Sequence, residues 1–160
     1  MKIFITGASS GIGKALALAY AKNSPGSSVM IGLAARRQDV LHELANELQT
    51  VPDVQCAIYP LDVKESHALD TAAKDFIQRF GVPDLVIACA GVSRGTLTEY
   101  QEDNAAFQAM MEINVLGMVH TFQPFITAMK GVGHGHLVGI ASVAGIRGLP
   151  GAGAYSASKA

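Results

Sequence analysis

Thr6-Gly7-Ala8-Ser9-Ser10-Gly11-Ile12-Gly13 lies between an apolar, β-branched stretch, Lys2 to Thr6, and an Ala- and Leu-rich stretch, Gly11 to Lys22. The first reads as a strand and the second as a helix. A glycine-rich turn at that junction allows a tight reversal and lets the backbone approach a pyrophosphate. The helix that follows presents free N–H groups and the positive end of its dipole at the same place. The plainer alternative is a turn that only packs helix on strand. A phosphate loop ending in Gly-Lys-Ser/Thr does not fit, because Ala15 follows Lys14.

Outward from this loop the chain keeps alternating. Asn23 to Ser28 is turn chemistry, and Val29 to Leu33 reads as a second strand. Gln38 to Gln49 is an amphipathic helix with Val40, Leu41, Leu44, Ala45 and Leu48 on one face. Pro52-Asp53 breaks the chain before a third strand, Val54 to Tyr59. A third helix opens in the polar stretch from Lys64 and ends near Phe80-Gly81, with Pro83 just beyond. Leu85 to Ala90 is a near-continuously apolar fourth strand, as a strand covered on both faces requires. Asn104 to Met129 reads as a long helix, with Gly117 and Pro124 as points of bending. After a turn at Gly131 to Gly135, His136 to Ala141 is a fifth strand, Ser142 to Ala154 a small-residue loop, and Tyr155 the start of another helix. This order favours a doubly wound α/β fold: one parallel sheet, right-handed crossovers, helices on both faces. There is no internal repeat and no linker, so residues 1–160 read as one domain.

Composition narrows the function. Apolar residues make up 49% of the 160 and charged residues 16%, which excludes a disordered chain. Twelve basic against 13 acidic residues leave a net charge of −1, which argues against nucleic acid or anionic lipid as a partner. The longest apolar runs, Val29 to Ala35 and Leu85 to Val92, are too short to span a bilayer, and the N-terminus has no signal-peptide stretch. Cys56 and Cys89 lie in apolar runs and read as free thiols in a reducing cytoplasm. His134 and His136 form H-x-H without an accompanying Cys or acidic cluster, so no metal site is expected. Phe107, Met110 and Met111 read as core or interface.

Two further places carry chemistry. The second strand ends in Ala34-Ala35-Arg36-Arg37, where an acidic residue would bind a ribose 2′-hydroxyl. A guanidinium pair suits a 2′-phosphate instead, which favours NADP(H); the alternative is a solvated start to the next helix. Tyr155 and Lys159 stand four apart in Tyr155-Ser156-Ala157-Ser158-Lys159, on one face of a helix. An ammonium beside a phenol favours the phenolate, and such a phenol serves as a general acid or base. Taken alone, the spacing also fits an ordinary surface pair.

With these residues in view, the sequence resembles the short-chain dehydrogenase/reductase family along all 160 residues. The resemblance rests on the glycine loop, Leu61-Asp62-Val63, Ala90-Gly91, Asn114, Ser142 and Tyr155-x-x-x-Lys159, in the family's order. It implies a Rossmann-type fold in which Gly7, Ser9, Ser10, Gly11, Ile12 and Gly13 hold the cofactor. Arg36 and Arg37 would select NADP(H). Asp62 would meet the adenine edge with Val63 beside it, and Ala90 and Gly91 would pass beneath a ribose. Tyr155 would exchange a proton with the substrate oxygen, and Lys159 would tune Tyr155 and hold the nicotinamide ribose. Ser142 would bind the reacting oxygen, and Asn114 would anchor a water in a proton relay.

Two departures accompany the resemblance. Family members often read Asn-Asn-Ala-Gly where this chain has Ala88-Cys89-Ala90-Gly91, which puts the strand-end hydrogen bonds in question. The family also continues past the Tyr155 helix, so the fold is expected to be truncated after the fifth strand and the start of that helix, leaving the fifth strand an open edge. Two functions follow as expectations. One is an NADP(H)-dependent carbonyl reductase or alcohol dehydrogenase acting on a small ketone, aldehyde or alcohol, homo-oligomeric (dimer or tetramer) in full-length form. The other is a truncated, catalytically inactive dinucleotide-binding fragment.

Overall fold

The computed structural model describes residues 1–23 and 28–160, so most of the turn expected at Asn23 to Ser28 lies outside the described residues. Five strands, β1 (Lys2–Thr6), β2 (Val29–Ala35), β3 (Val54–Pro60), β4 (Leu85–Ala88) and β5 (His136–Gly139), form one sheet in the order β3-β2-β1-β4-β5. Every neighbouring pair is parallel. β1 is central, and the strand order reverses between β1 and β4, the switch point of a doubly wound sheet.

The period of two in β1 divides the core. Ile3 and Ile5 are fully buried on one face, with Ala17 and Ala21 of α1 (Gly11–Lys22) and Leu41, Leu44 and Leu48 of α2 (Gln38–Gln49). Phe4 is buried on the other face, with Phe76 of α3 (Ser66–Phe80) and Phe125 further along the chain. Phe4 lies 5.6 Å from Phe76 and 4.9 Å from Phe125, ring centre to ring centre. Each such side chain contributes on the order of 1.5–3 kcal/mol on burial. Gly32 makes room for this cluster, since a β-carbon there would lie 2.6 Å from Phe4 Cδ2 and 2.8 Å from Phe76 Cδ2.

The long helix has three parts: α4 (Asn104–Met110), a π-helical turn (Met111–Leu116) and α5 (Gly117–Val132). Its irregularity falls just before Gly117 rather than at Gly117 and Pro124. Gly117 instead permits close approach, because a β-carbon there would come 2.7 Å from Val63 Cγ2.

The loop expected from Ser142 to Ala154 holds a short helix, α6 (Val143–Ile146), and the last helix, α7 (Gly153–Lys159), starts two residues before Tyr155. Glycine lowers helix propensity, so neither end is visible from composition. Tertiary contact supplies what propensity lacks: the Gly145 backbone lies directly against the Lys159 carbonyl. β4 and β5 stop two residues short of the expected Ala90 and Ala141. The ladder closes with Ile140 N–H donating to the Ala88 oxygen at 3.2 Å, and both chains then leave the sheet to floor a cleft. Among the described residues β5 pairs only with β4, and all four of its residues are exposed. No described helix is long and apolar enough to cross a membrane.

Candidate active site

The glycine loop runs from the end of β1 to α1 with Gly7 at φ 70° and Gly11 at φ 54°, conformations that a β-carbon strains. Gly7 lies against the other side of the switch point, for a β-carbon on it would be 2.7 Å from Ala90 N. Gly13 lies behind the loop, against the Gly7 carbonyl, and does not line the cleft. Ser10 takes the N-cap position of α1 in extended conformation, yet its side chain makes no capping hydrogen bond. The first turn of α1 contains no acidic residue, so its positive end is not neutralised locally.

A cleft of about 560 Å³ opens over the carboxyl ends of the strands. Gly7, Ser9, Ser10, Gly11 and Ile12 line it from the loop, and Arg36, Arg37, Asp62 and Val63 from the ends of β2 and β3. Ala90, Gly91, Tyr155 and Lys159 line it from β4 and α7. Ile12 is 56% exposed, an apolar side chain held at the rim. The Arg37 guanidinium donates from Nη2 to the Ser9 carbonyl at 3.2 Å and to Ser9 Oγ at 3.1 Å, which fastens it across the loop. Asp62 Oδ1 accepts from Lys64 N–H at 3.0 Å, so Asp62 braces its own turn as well as facing the cleft.

Lys159 Nζ donates to the Ile140 carbonyl at 2.7 Å, which carries the ammonium to the end of β5. Asn114 is 2% exposed, sits in the π-helical turn and lies behind the cleft. Its Oδ1 accepts from Val92 N–H at 2.8 Å, while Nδ2 donates to the Val92 carbonyl at 2.9 Å and to Ser158 Oγ at 2.8 Å. Ser142 does not line the cleft. Its Oγ accepts from Ala144 N–H at 3.2 Å and caps α6, which leaves its hydroxyl proton to donate elsewhere.

The cleft also contains residues that the sequence reading gave no role: Ala35, Leu61, Cys89, Val92, Ser93, Ile113, Ile140 and Ala141. Most are small or apolar; apart from Ile113 in the π-helical turn, they lie at or just past strand ends, the one feature that could have singled them out. Cys89 stands where the family's amide is absent. Burial pushes its thiol upward in pKa, offset in part by the Lys159 ammonium and by a hydrogen bond from the Gly13 amide. That bond ties the end of β4 to the first turn of α1. Both cysteines are free thiols. Among the described residues no three His, Cys, Asp or Glu side chains gather into a metal-binding group.

The donor set fits a nicotinamide dinucleotide. A helix N-terminus without a side-chain cap and two guanidinium groups suit phosphates, and Ile12, Leu61, Val63 and Ala90 offer apolar walls for rings. A β-carbon on Gly11 would meet nothing within 4 Å, so that glycine borders open space.

The short chain dehydrogenase profile matches residues 1–160, and the chain belongs to that family. An uncharacterised oxidoreductase of Mycobacterium tuberculosis is 36% identical over 161 residues, covering 99% of this chain and 62% of that protein. One from Staphylococcus aureus is 34% identical over 157 residues, covering 98% and 64%. The alcohol dehydrogenase of the archaeon Thermococcus sibiricus, solved with 5-hydroxy-NADP, superposes with a TM-score of 0.87 at 33% identity, over 99% of this chain and 66% of that one. NAD+-bound xylitol dehydrogenase superposes at 0.88 with 27% identity, over 99% and 59%. The chain thus spans just over three fifths of the length of these two oxidoreductases.

Proposed function

We propose that this chain carries the cofactor and proton-transfer machinery of an NADP(H)-dependent oxidoreductase that interconverts a small carbonyl compound and its alcohol. The observation that carries the reading is the shared cleft: glycine loop, Arg36, Arg37, Tyr155 and Lys159 all line one cavity. The glycine loop, Arg36 and Arg37 would hold NADPH, which when bound would provide the hydride for the carbonyl carbon. The Tyr155 hydroxyl donates the proton to the carbonyl oxygen, and takes it back in the reverse direction. Lys159, held by Ile140, provides the positive charge beside that phenol. Ser142 follows the cleft-lining Ala141 and keeps its hydroxyl proton free beside the bond from Ala144, which suits it to donate to the reacting oxygen at the cleft margin. Asn114 braces the loop at Val92 against α7.

Two arginines with no acidic residue at the end of β2 support NADP(H) over NAD(H). The free thiols fit a reducing cytoplasm. Exposed Leu116, Val119 and Ile126 on the outer helix fit a homo-oligomer of the whole protein. A second reading, dinucleotide binding without turnover by these 160 residues, is favoured by the open ground near Ser142, where Val143 is 69% and Ile146 91% exposed.

The test is NADPH oxidation, followed by absorbance, against a panel of ketones and aldehydes. Turnover that disappears in Tyr155→Phe supports the enzyme. NADPH binding with no oxidation of any panel member supports the second reading, and absence of any NADPH binding sinks both.

A further inference from the structure

The helix that carries Tyr155 and Lys159 has seven residues, too few to hold its own shape in water. Rotation by one residue would turn its side chains by about 100°. Something outside the helix must therefore set its phase. Ala152, at the N-cap position, has no side chain able to cap it. The contacts that fix α7 come from elsewhere: Thr96 Oγ1 accepts from Ala154 N–H at 3.2 Å, Ser156 Oγ accepts from Leu149 N–H at 3.1 Å, Lys159 reaches Ile140, and Ser158 reaches Asn114.

Ser158 is the contact that joins both functional parts of the site. Its side chain is not among those lining the cleft, and the residue is only 8% exposed. Its Oγ accepts from Asn114 Nδ2 at 2.8 Å and donates to the Tyr155 carbonyl at 2.8 Å. Asn114 in turn holds both backbone groups of Val92, and Val92 lines the cleft. A continuous chain of hydrogen bonds thus runs from the cleft wall at Val92 through Asn114 and Ser158 to the backbone of Tyr155. Bonding from a serine back to the carbonyl three residues earlier competes with the regular helical bond, so it sets the local geometry of the turn. Asn114 sits in the π-helical turn, and such turns often accompany functional sites.

We propose that Ser158 is a positioning residue for Tyr155: its buried hydroxyl links the Asn114 amide to the Tyr155 carbonyl and fixes the rotation of α7. This rests on the reading of Tyr155 as the proton donor. Ser158→Ala removes both hydrogen bonds, while Ser158→Thr keeps the hydroxyl.

The experiment compares parent protein, Ser158→Ala and Ser158→Thr in two measurements. Hydrogen–deuterium exchange over residues 153–160 is expected to quicken about tenfold in Ser158→Ala and to stay near the parent in Ser158→Thr, with β1 unaffected in both. Steady-state reduction by NADPH is expected to lose about tenfold in kcat in Ser158→Ala, with NADPH affinity within about twofold. The proposal is overturned if exchange in Ser158→Ala matches the parent, or if the Ala and Thr variants behave alike. It is also overturned if NADPH affinity falls as far as kcat. If Tyr155→Phe turns over as fast as the parent, the dehydrogenase reading fails by itself, and the exchange data still decide whether Ser158 orders α7.

Discussion

Gly13 lies so close to Gly7 that a β-carbon on it would run into the Gly7 carbonyl, whose carbon would be only 2.9 Å away. The contact joins the start of α1 to the end of β1. Gly13→Ala is therefore expected to cost about 1–3 kcal/mol of stability through overpacking. It should also weaken NADPH binding, because the loop must shift to admit the methyl group. Urea unfolding and a fluorescence titration with NADPH check both, and an unchanged unfolding midpoint would refute the packing argument.

Tyr155 supplies the proton in the proposed reaction and lies in the same cleft as Lys159. Tyr155→Phe removes one oxygen and keeps the ring. Carbonyl reduction should fall by at least about a hundredfold, the usual contribution of a positioned acid, with NADPH affinity nearly unchanged. Parent-like turnover in the variant would remove Tyr155 from the mechanism.

Arg36 and Arg37 both line the cleft, but Arg37 is engaged with Ser9. Arg36→Ala is expected to weaken NADPH binding about tenfold or more, as loss of a charged hydrogen bond to a phosphate does, and to leave NADH binding unaltered. Calorimetric titration with each cofactor measures the difference. Equal losses for NADPH and NADH would count against a role in selecting the 2′-phosphate.

Burial pushes the Cys56 thiol up to about 11, from 9.0 for an ordinary thiol. The folded protein thus keeps this proton where the unfolded chain gives it up. The resulting stability is complete below about pH 9 and is lost as pH rises to about 11. At a site only partly shielded from solvent, the loss is on the order of 1 kcal/mol. Urea unfolding across that range should show the parent losing more stability than Cys56→Ala. Parallel pH curves for the two proteins would contradict it.

The strands and the first three helices were legible because each carries its own period. Alternation in β1 divides Ile3 and Ile5 from Phe4, and the spacing of Leu41, Leu44 and Leu48 marks one face of α2. The ends of β4 and β5 were not legible. Cys89, Ala90, Ile140 and Ala141 are as apolar as the strands they follow, and only the ladder shows where pairing stops. The small residues of α6 favour no one conformation, and the bond from Ala144 N–H to Ser142 Oγ depends on that helix forming. Ser158 has no signature of its own, since a serine beside a lysine on a short helix signals nothing until Asn114, 44 positions earlier, is brought to it.

By itself the sequence determined the layering of the molecule, the place of the glycine loop and the residues with acid–base or charged chemistry. These depend on residue type, local spacing and the backbone freedom of glycine, all of which one strand or one turn expresses alone. The tertiary structure alone decided which of those residues share a cleft, that Gly13 and Asn114 stand behind it, and that Arg37 donates from Nη2 to Ser9. Such relations join positions far apart in the chain, and only the parallel pairing of β1 with both β2 and β4 carries them to one edge of the sheet.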